Sequence, residues 1–405
     1  MRLVNKTNQL DRQAWLLLLV SGLFAISTSL SSTFVNVYLW KIKEDYGVIG
    51  WYNLFAAISM ATTFILAGKM IKKVDRVIAI RLGVAIHALF YLIVLWLGET
   101  SVHYVPILGS LLGIGAGFFW LAFHVLYFEI TERYNRDIFN GVNGLLTSGA
   151  GIVAPLISGW VITRVDQLTG YRIIFGLSLT IFLIAVITSL FLKRRSAEGS
   201  FRLGTVIRHS FHRSSNLFWV NLAMLSQGIR EGVLVFLVSL LVFVFTGDEF
   251  VLGIYLTTVS AVSLIAYLLV GRFMQPQRRN TSIFIGAVML GVFVLPFVWS
   301  LETWAVFVLG IGASLFYPLY MVPLTSTVFD VIGENWRTVS LRVEFVVVRE
   351  LALNIGRVLS ILAFLWWVNY SSQLEQLRWF ILAFGMMQLG AWATVRHIPL
   401  FAKRG

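Results

Sequence analysis

Apolar runs of about 18 residues or more recur from one end of this chain to the other, each long enough to cross a hydrocarbon core of about 30 Å as a helix. Inside such a core the backbone has no water to bond, so each run must satisfy its own amides and carbonyls. The 405 residues are 58% hydrophobic and 13% charged, about half the charged share of a soluble domain. These features predict an all-α polytopic membrane protein. Twelve transmembrane helices are expected, at about 14–40, 47–68, 77–97, 104–128, 138–163, 172–192, 217–245, 250–271, 281–300, 304–328, 343–368 and 379–396. The opening "MRLVNKTNQLDRQAWLLLLVSGLFAIS" has a basic start but no small-residue cleavage pattern, so it reads as the first span and not as a signal peptide.

The net charge of +13 lies in short hydrophilic breaks and forms no basic face, which argues against nucleic acid as a partner. With the N-terminus inside, most of the 32 Lys and Arg fall in inner segments, while Lys41, Lys43, Arg164, Arg172 and Arg378 fall outside. This asymmetry predicts cytoplasmic N- and C-termini in the cell (plasma) membrane. Cysteine is absent, which removes disulfides and thiolate metal sites.

The longest break, 193–216, divides the spans six and six, into an N-terminal bundle over 1–192 and a C-terminal bundle over 217–405. Within it Leu203, Val206, Ile207 and Phe211 follow helical spacing among Arg202, Arg208, His209, His212 and Arg213. Two readings stay open: a short helix held on the inner leaflet by anionic lipids, or a solvated linker. The halves also repeat. "LGIGAGFFWLAF" (Leu112 to Phe123) returns as "LGIGASLFYPLY" (Leu309 to Tyr320), offset by 197 positions, and "AGKMIKKVDR" (Ala67 to Arg76) is answered by "VGRFMQPQRR" (Val270 to Arg279), offset by 203. A parallel six-span duplication follows, an arrangement of transporters whose bundles rock about a midplane site.

At these residues the chain resembles the major facilitator superfamily (MFS) over nearly its whole length. Gly68 and Arg76 fit the loop motif Gly-x-Leu-Ala-Asp-Arg-x-Gly-Arg between spans two and three, with Lys72 in the usual Asp position and Asp75 in that of the second Gly. Gly141, Ala150, Ala154, Pro155, Ser158 and Gly159 fit the fifth-span motif with small residues for some glycines. Gly113 and Gly115 fit the fourth span, but Gly109 replaces the Arg linked to proton transfer in family members. The resemblance implies the MFS fold of two six-helix pseudo-symmetric bundles, secondary transport by alternating access, and a monomer. Spans one, four, seven and ten would line the cavity, with two, five, eight and eleven beside them. Gly68, Lys72, Asp75 and Arg76 would form a gating loop.

Polar residues inside the spans carry the remaining information. Gln227, Arg230 and Glu231 share one face of span seven. In span eleven Glu350, Asn354 and Arg357 form a stripe flanked by Arg349. Each charge costs about 2.5–3.5 kcal/mol at a helix centre, so pairing or hydration is required. The expectation is a cross-helix network joining Arg230 and Glu231 with Arg349, Glu350 and Arg357. Its net charge of +1, three arginines against two glutamates, would be balanced by an anionic group on a substrate. The alternative is a satisfied salt-bridge network that only holds the C-terminal bundle together. In the N-terminal half Asn36 is polar in span one, and Trp120 and His124 lie one turn apart in span four. They are candidates for substrate contact or proton work, with helix packing as the alternative.

The leading reading is a secondary active transporter moving a small or amphipathic solute, with protons or another ion as coupling partner and export implied by short-looped relatives. A flippase for an anionic lipid or lipid-linked molecule is the alternative. No Walker-type loop, HExxH or serine elbow is present, so neither ATP binding nor an integral-membrane enzyme is expected, and no cofactor or metal is implied. Membrane lipids are expected partners. A non-transporting receptor would need the charges to be indifferent to any solute.

Overall fold

The computed structural model describes residues 10–131, 135–165, 168–194, 200–213, 215–332, 341–370 and 374–398. In the N-terminal half, α1 (Arg12–Lys43), α2 (Tyr46–Lys73), α3 (Arg76–Leu97), α4 (Val105–Ile130), α5 (Arg136–Arg164) and α6 (Thr169–Leu190) correspond to the first six expected spans. A short α7 (Leu203–Ser210) occupies the break, and the second half begins with α8 (Asn216–Thr246) and α9 (Glu249–Phe273). Next come α10 (Arg279–Val292) with the short α11 (Leu295–Trp299), α12 (Thr303–Ile332), α13 (Arg342–Tyr370), α14 (Leu374–Gly385) and α15 (Gln388–Val395). By length and hydropathy, 11 segments of the described residues can each cross a membrane, with α10 and α11 together forming one of them. The twelfth span is α14 and α15 in series, interrupted at Met386–Met387.

Two hairpins show the duplication at atomic scale. Glu44 ends α1 in the left-handed region at φ 50°, donating its N–H to Trp40 O over 2.6 Å, and Asp45 then caps α2 through Gly47 N. Gly247 ends α8 at φ 65°, donating to Phe243 O over 2.7 Å, and Asp248 caps α9 through Phe250 N. Both pairs of turn residues are related by the offset of 203 that joins Ala67 to Val270. A left-handed C-terminal residue followed by an Asp N-cap satisfies the freed carbonyls and amides within two residues.

Close helix crossings hold each half. A Cβ on Gly109 or Gly113 of α4 would strike the carbonyl of Tyr52 or Ala56 on α2, so the glycine stripe lets the two backbones touch. The halves meet chiefly through α2 against α13 and α5 against α9. Leu66, Leu268 and Ile265 stay exposed on the outside, a surface suited to lipid and not to water. Trp96, Trp299, Trp366 and Tyr370 are exposed at the end of the bundle away from α7, as an interfacial aromatic belt requires.

The break holds the short helix α7, whose apolar stripe turns toward the protein. Val206 of α7 is buried, and Leu203 and Ile207 pack beside it against a core that includes Leu217, Val220 and Val348. The apolar stripe is therefore spent mainly on protein, because the ends of α8 and α13 offer apolar surface there. Phe211 alone among the four stripe residues remains well exposed.

Candidate functional site

Where α8 crosses α13, glycine faces glycine. A Cβ on Gly228 would meet Leu353 O, and one on Gly356 would meet Leu225 O. This contact brings the polar stripes of the two helices together at mid-depth. Glu231 lies about 22 Å from the start of α8 and Arg357 about 22 Å from the start of α13, at 1.5 Å per residue. Arg357 Nη2 lies 2.8 Å from Glu231 Oε2. The other oxygen of Glu231 accepts from Gln227 Nε2 at 2.7 Å and from the Tyr317 hydroxyl of α12 at 3.0 Å. Arg357 Nη1 also donates to Asn354 Oδ1 at 3.3 Å and reaches Met60 Sδ of α2, in the other half, at 3.8 Å. Gln227 and Asn354 are fully buried. Two neutral donors and one cation thus share the Glu231 carboxylate.

The expected single network of five charges resolves into separate parts. Arg349 and Glu350 pair with each other at 3.5 Å, about 12 Å along α13 from Arg357. Arg230 joins neither pair. It is one residue, about 100° of helix, from Glu231, so the two side chains diverge. Its Nε is buried without a hydrogen-bond partner among the described residues, and its guanidinium sits 5.3 Å from the Tyr317 ring centroid. Beyond Arg230 opens a cavity of about 180 Å³ lined by Leu234, Val238, Tyr255, Leu309 and Ser314.

Trp120 packs edge-on against Phe24, Phe119 and Phe123, and its ring centroid lies 6.0 Å from that of His124. Asn36 is not brought to the charged cluster. Its Oδ1 accepts from Asn53 Nδ2 of α2 at 2.9 Å, tying α1 to α2 within the N-terminal half.

The loop motif lies at the α7 end of the bundle. Lys72 Nζ meets Glu344 Oε1 of α13 at 2.6 Å, with Glu344 fully buried. The same carboxylate oxygen accepts the backbone N–H of Arg202 at 2.9 Å. Gly68 admits the Phe201 ring and Val347 against α2. Asp75 is buried and caps α3 through Val77 N at 2.7 Å, and Arg76 pairs with Glu129 at 2.6 Å. Lysine in place of the motif's aspartate thus has a carboxylate facing it from the opposite half. At the far end of the bundle, Glu249 of α9 takes Lys41 Nζ at 2.7 Å and the Tyr171 hydroxyl at 2.8 Å. Each end is therefore bridged by a lysine of the first half and a glutamate of the second. Sequence reasoning missed Glu344, Glu249, Lys41 and Tyr171 as site residues. The signal available was an acid at the mouth of an otherwise apolar span.

The family model described as Major Facilitator Superfamily matches residues 17–343. The Bacillus subtilis (strain 168) "Uncharacterized protein YqgE" is 44% identical over 353 residues, covering 86% of this chain and 81% of its own. A Geobacillus stearothermophilus "Uncharacterized protein in sodM 3'region" is 46% identical over 167 residues, 41% of this chain and 78% of its own. Among solved structures, an inward-facing bacterial homologue of the iron transporter ferroportin is similar at a TM-score of 0.71 and 16% identity, covering 98% of this chain and 100% of that one. A D-xylose-proton symporter is similar at 0.73 and 13% identity, covering 94% and 97%. At these identities the likeness shows the fold and not the cargo.

Proposed function

This chain belongs to the Major Facilitator Superfamily, and from that premise we propose that it carries its solute by alternating access between the two bridged ends. One observation carries the reading: a half-buried charged cluster at mid-depth is bracketed by cross-half ion pairs, Lys72–Glu344 at one end and Lys41–Glu249 at the other. Opening one end breaks only that end's pair, while the other pair keeps the path sealed. Arg357, which touches Met60 across the interface, would sense the approach of the halves. The solute is small or amphipathic and bears an anionic group, with export as its direction. Coupling to protons or another ion would enter at His124 of α4, whose ring lies beside that of Trp120. The α7 end would be cytoplasmic, as the charge asymmetry of the loops implies.

A second reading, a flippase for an anionic lipid, is favoured by a different feature. An apolar groove between α7, α8 and α13, lined by Phe211, Phe218, Leu222, Leu351 and Ile355, opens beside the basic residues Arg208, His209, His212 and Arg213. An acyl chain and an anionic headgroup would fit that pairing of surfaces.

The absence of cysteine makes the test direct. Two double variants, Lys72→Cys with Glu344→Cys and Lys41→Cys with Glu249→Cys, allow each end to be locked by a short bis-maleimide. A further Met60→Cys, masked during locking and then released, reports access from each side of a proteoliposome to a membrane-impermeant maleimide. Alternating access predicts that Met60→Cys is reached only from the unlocked side. Labelling from the same side under both locks would overturn the proposal.

A further inference from the structure

We propose that Arg230 and the cavity beside it form the solute subsite, and that the subsite takes an amphipathic monoanion, a carboxylate on a short apolar body. The inference rests on the transporter reading above and adds where the solute sits and which chemistry selects it. Charge location comes first. Glu231 is neutralised by Arg357, and Glu350 pairs with Arg349. The excess positive charge of the five-residue set therefore resides on Arg230, which has no ion-pair partner among the described residues. Tyr317 offers it a ring face, which attracts a cation but does not replace a counter-charge. A guanidinium presents paired N–H donors matched to a carboxylate, so the missing partner is an anion.

The cavity supplies the rest of the selection. Leu234, Val238, Leu256, Val259 and Leu309 make its walls largely apolar, and Ser239 and Ser314 add hydroxyls. Among the described residues, Arg230 is the one charged residue of the lining. A dianion would leave one charge against hydrocarbon, a cation would meet the guanidinium, and a neutral apolar molecule would leave Arg230 unpaired. A volume of about 180 Å³ suits a body of a few carbons. Among the described residues the lining comes from the second half: from α8, α9, α10 and α12, with Val294 after α10 and Gly385 at the end of α14. The bound anion would thus move with that half while the first half opens and closes over it.

The test is equilibrium dialysis of the purified full-length protein with radiolabelled hexanoate, hexylammonium and hexanol, and with carboxylates from two to six carbons. Hexanoate is expected to bind at least about tenfold more tightly than the other two. Affinity should rise by about fourfold per added methylene as the chain enters the apolar part. Arg230→Gln is expected to lose the preference for hexanoate by about tenfold or more, and Arg230→Lys to retain part of it. Ala313→Phe, which fills the cavity and leaves the charge in place, should flatten the chain-length series. Helicity and monodispersity check each variant, and Arg230→Lys keeps the test decisive if Arg230→Gln does not fold. Hexanoate binding unchanged in Arg230→Gln, a chain-length series unchanged in Ala313→Phe, or equal binding of hexylammonium would each overturn the proposal. The locking experiment needs no hexanoate, so a protein that alternates but ignores hexanoate would lose this inference alone.

Discussion

Glu231 and Arg357 are held 2.8 Å apart because Gly228 and Gly356 let α8 and α13 touch backbone to backbone. Neither ion reaches the pair from a flexible loop; both sit on long helices whose crossing point fixes their separation. Removing one partner leaves the other charged and half-buried, at a cost of up to about 3–5 kcal/mol, the figure for a fully buried pair. Arg357→Gln is therefore expected to lower the thermal midpoint of the purified protein sharply. Glu231→Gln with Arg357→Gln together should recover part of that loss. A double variant as unstable as the sum of the singles would show that the pair is not coupled.

The glycines themselves predict a separate effect. Gly356→Val places a branched side chain against Leu225 O and Ile229 N, an overpacking that costs about 1–3 kcal/mol or more. Separation of the helices would also lengthen the Glu231–Arg357 bond. The expected result is a lower thermal midpoint together with weaker coupling of the ion pair in the double-variant comparison.

The bridge at the α7 end should respond to charge reversal. Lys72→Glu sets a second carboxylate against buried Glu344 and should shift the population toward the form open at that end. Each 1.4 kcal/mol shifts it about tenfold. Lys72→Glu combined with Glu344→Lys restores opposite charges and is expected to restore the closed form. Labelling of Met60→Cys from the α7 side measures both outcomes. No rise in labelling for the single reversal would remove this bridge from the gate.

Salt should separate the two ends. Lys41 is 40% exposed in its pair with Glu249, whereas Lys72 is 12% exposed and Glu344 fully buried. Exposed pairs are screened by ions and buried pairs much less so. Raising the salt concentration is expected to increase labelling of Met60→Cys from the far side while leaving the α7 side little changed. Equal increases at both ends would show that burial does not set the strength of these bridges.

Much of this architecture is legible in the sequence, and the illegible parts have physical causes. Apolar length marks the spans, and the Gly109–Gly113–Gly117 stripe marks a close crossing because only small residues permit one. Pro296 marks the restart at α11. The interruption of the twelfth span at Met386 has only Gly385 before it as a hint, because packing of Met386 onto Gly291 is a tertiary event. Periodicity places Arg230 and Glu231 together on a broad face. It does not show that one turns to Arg357 and the other to a cavity, since one residue of helix separates them by about 100°. The partner of Lys72 was hidden for another reason: a position more than 270 residues away supplies it.

The repeated hairpin gives the last prediction. Glu44 and Gly247 hold equivalent turn positions at φ 50° and 65°, but only Gly247 lacks the Cβ that crowds this conformation. A side chain there costs about 1–2 kcal/mol, and Gly gives back part of that through a more flexible unfolded chain. Glu44→Gly is therefore expected to raise the thermal midpoint modestly. Gly247→Ala should lower it, since a Cβ there meets no neighbour and backbone strain alone remains. Opposite shifts at two sites related by the 203-residue offset would show that both halves use the same turn, with one still carrying the strain. A fall in the midpoint for Glu44→Gly would mean that the Glu44 side chain contributes more than its backbone conformation costs.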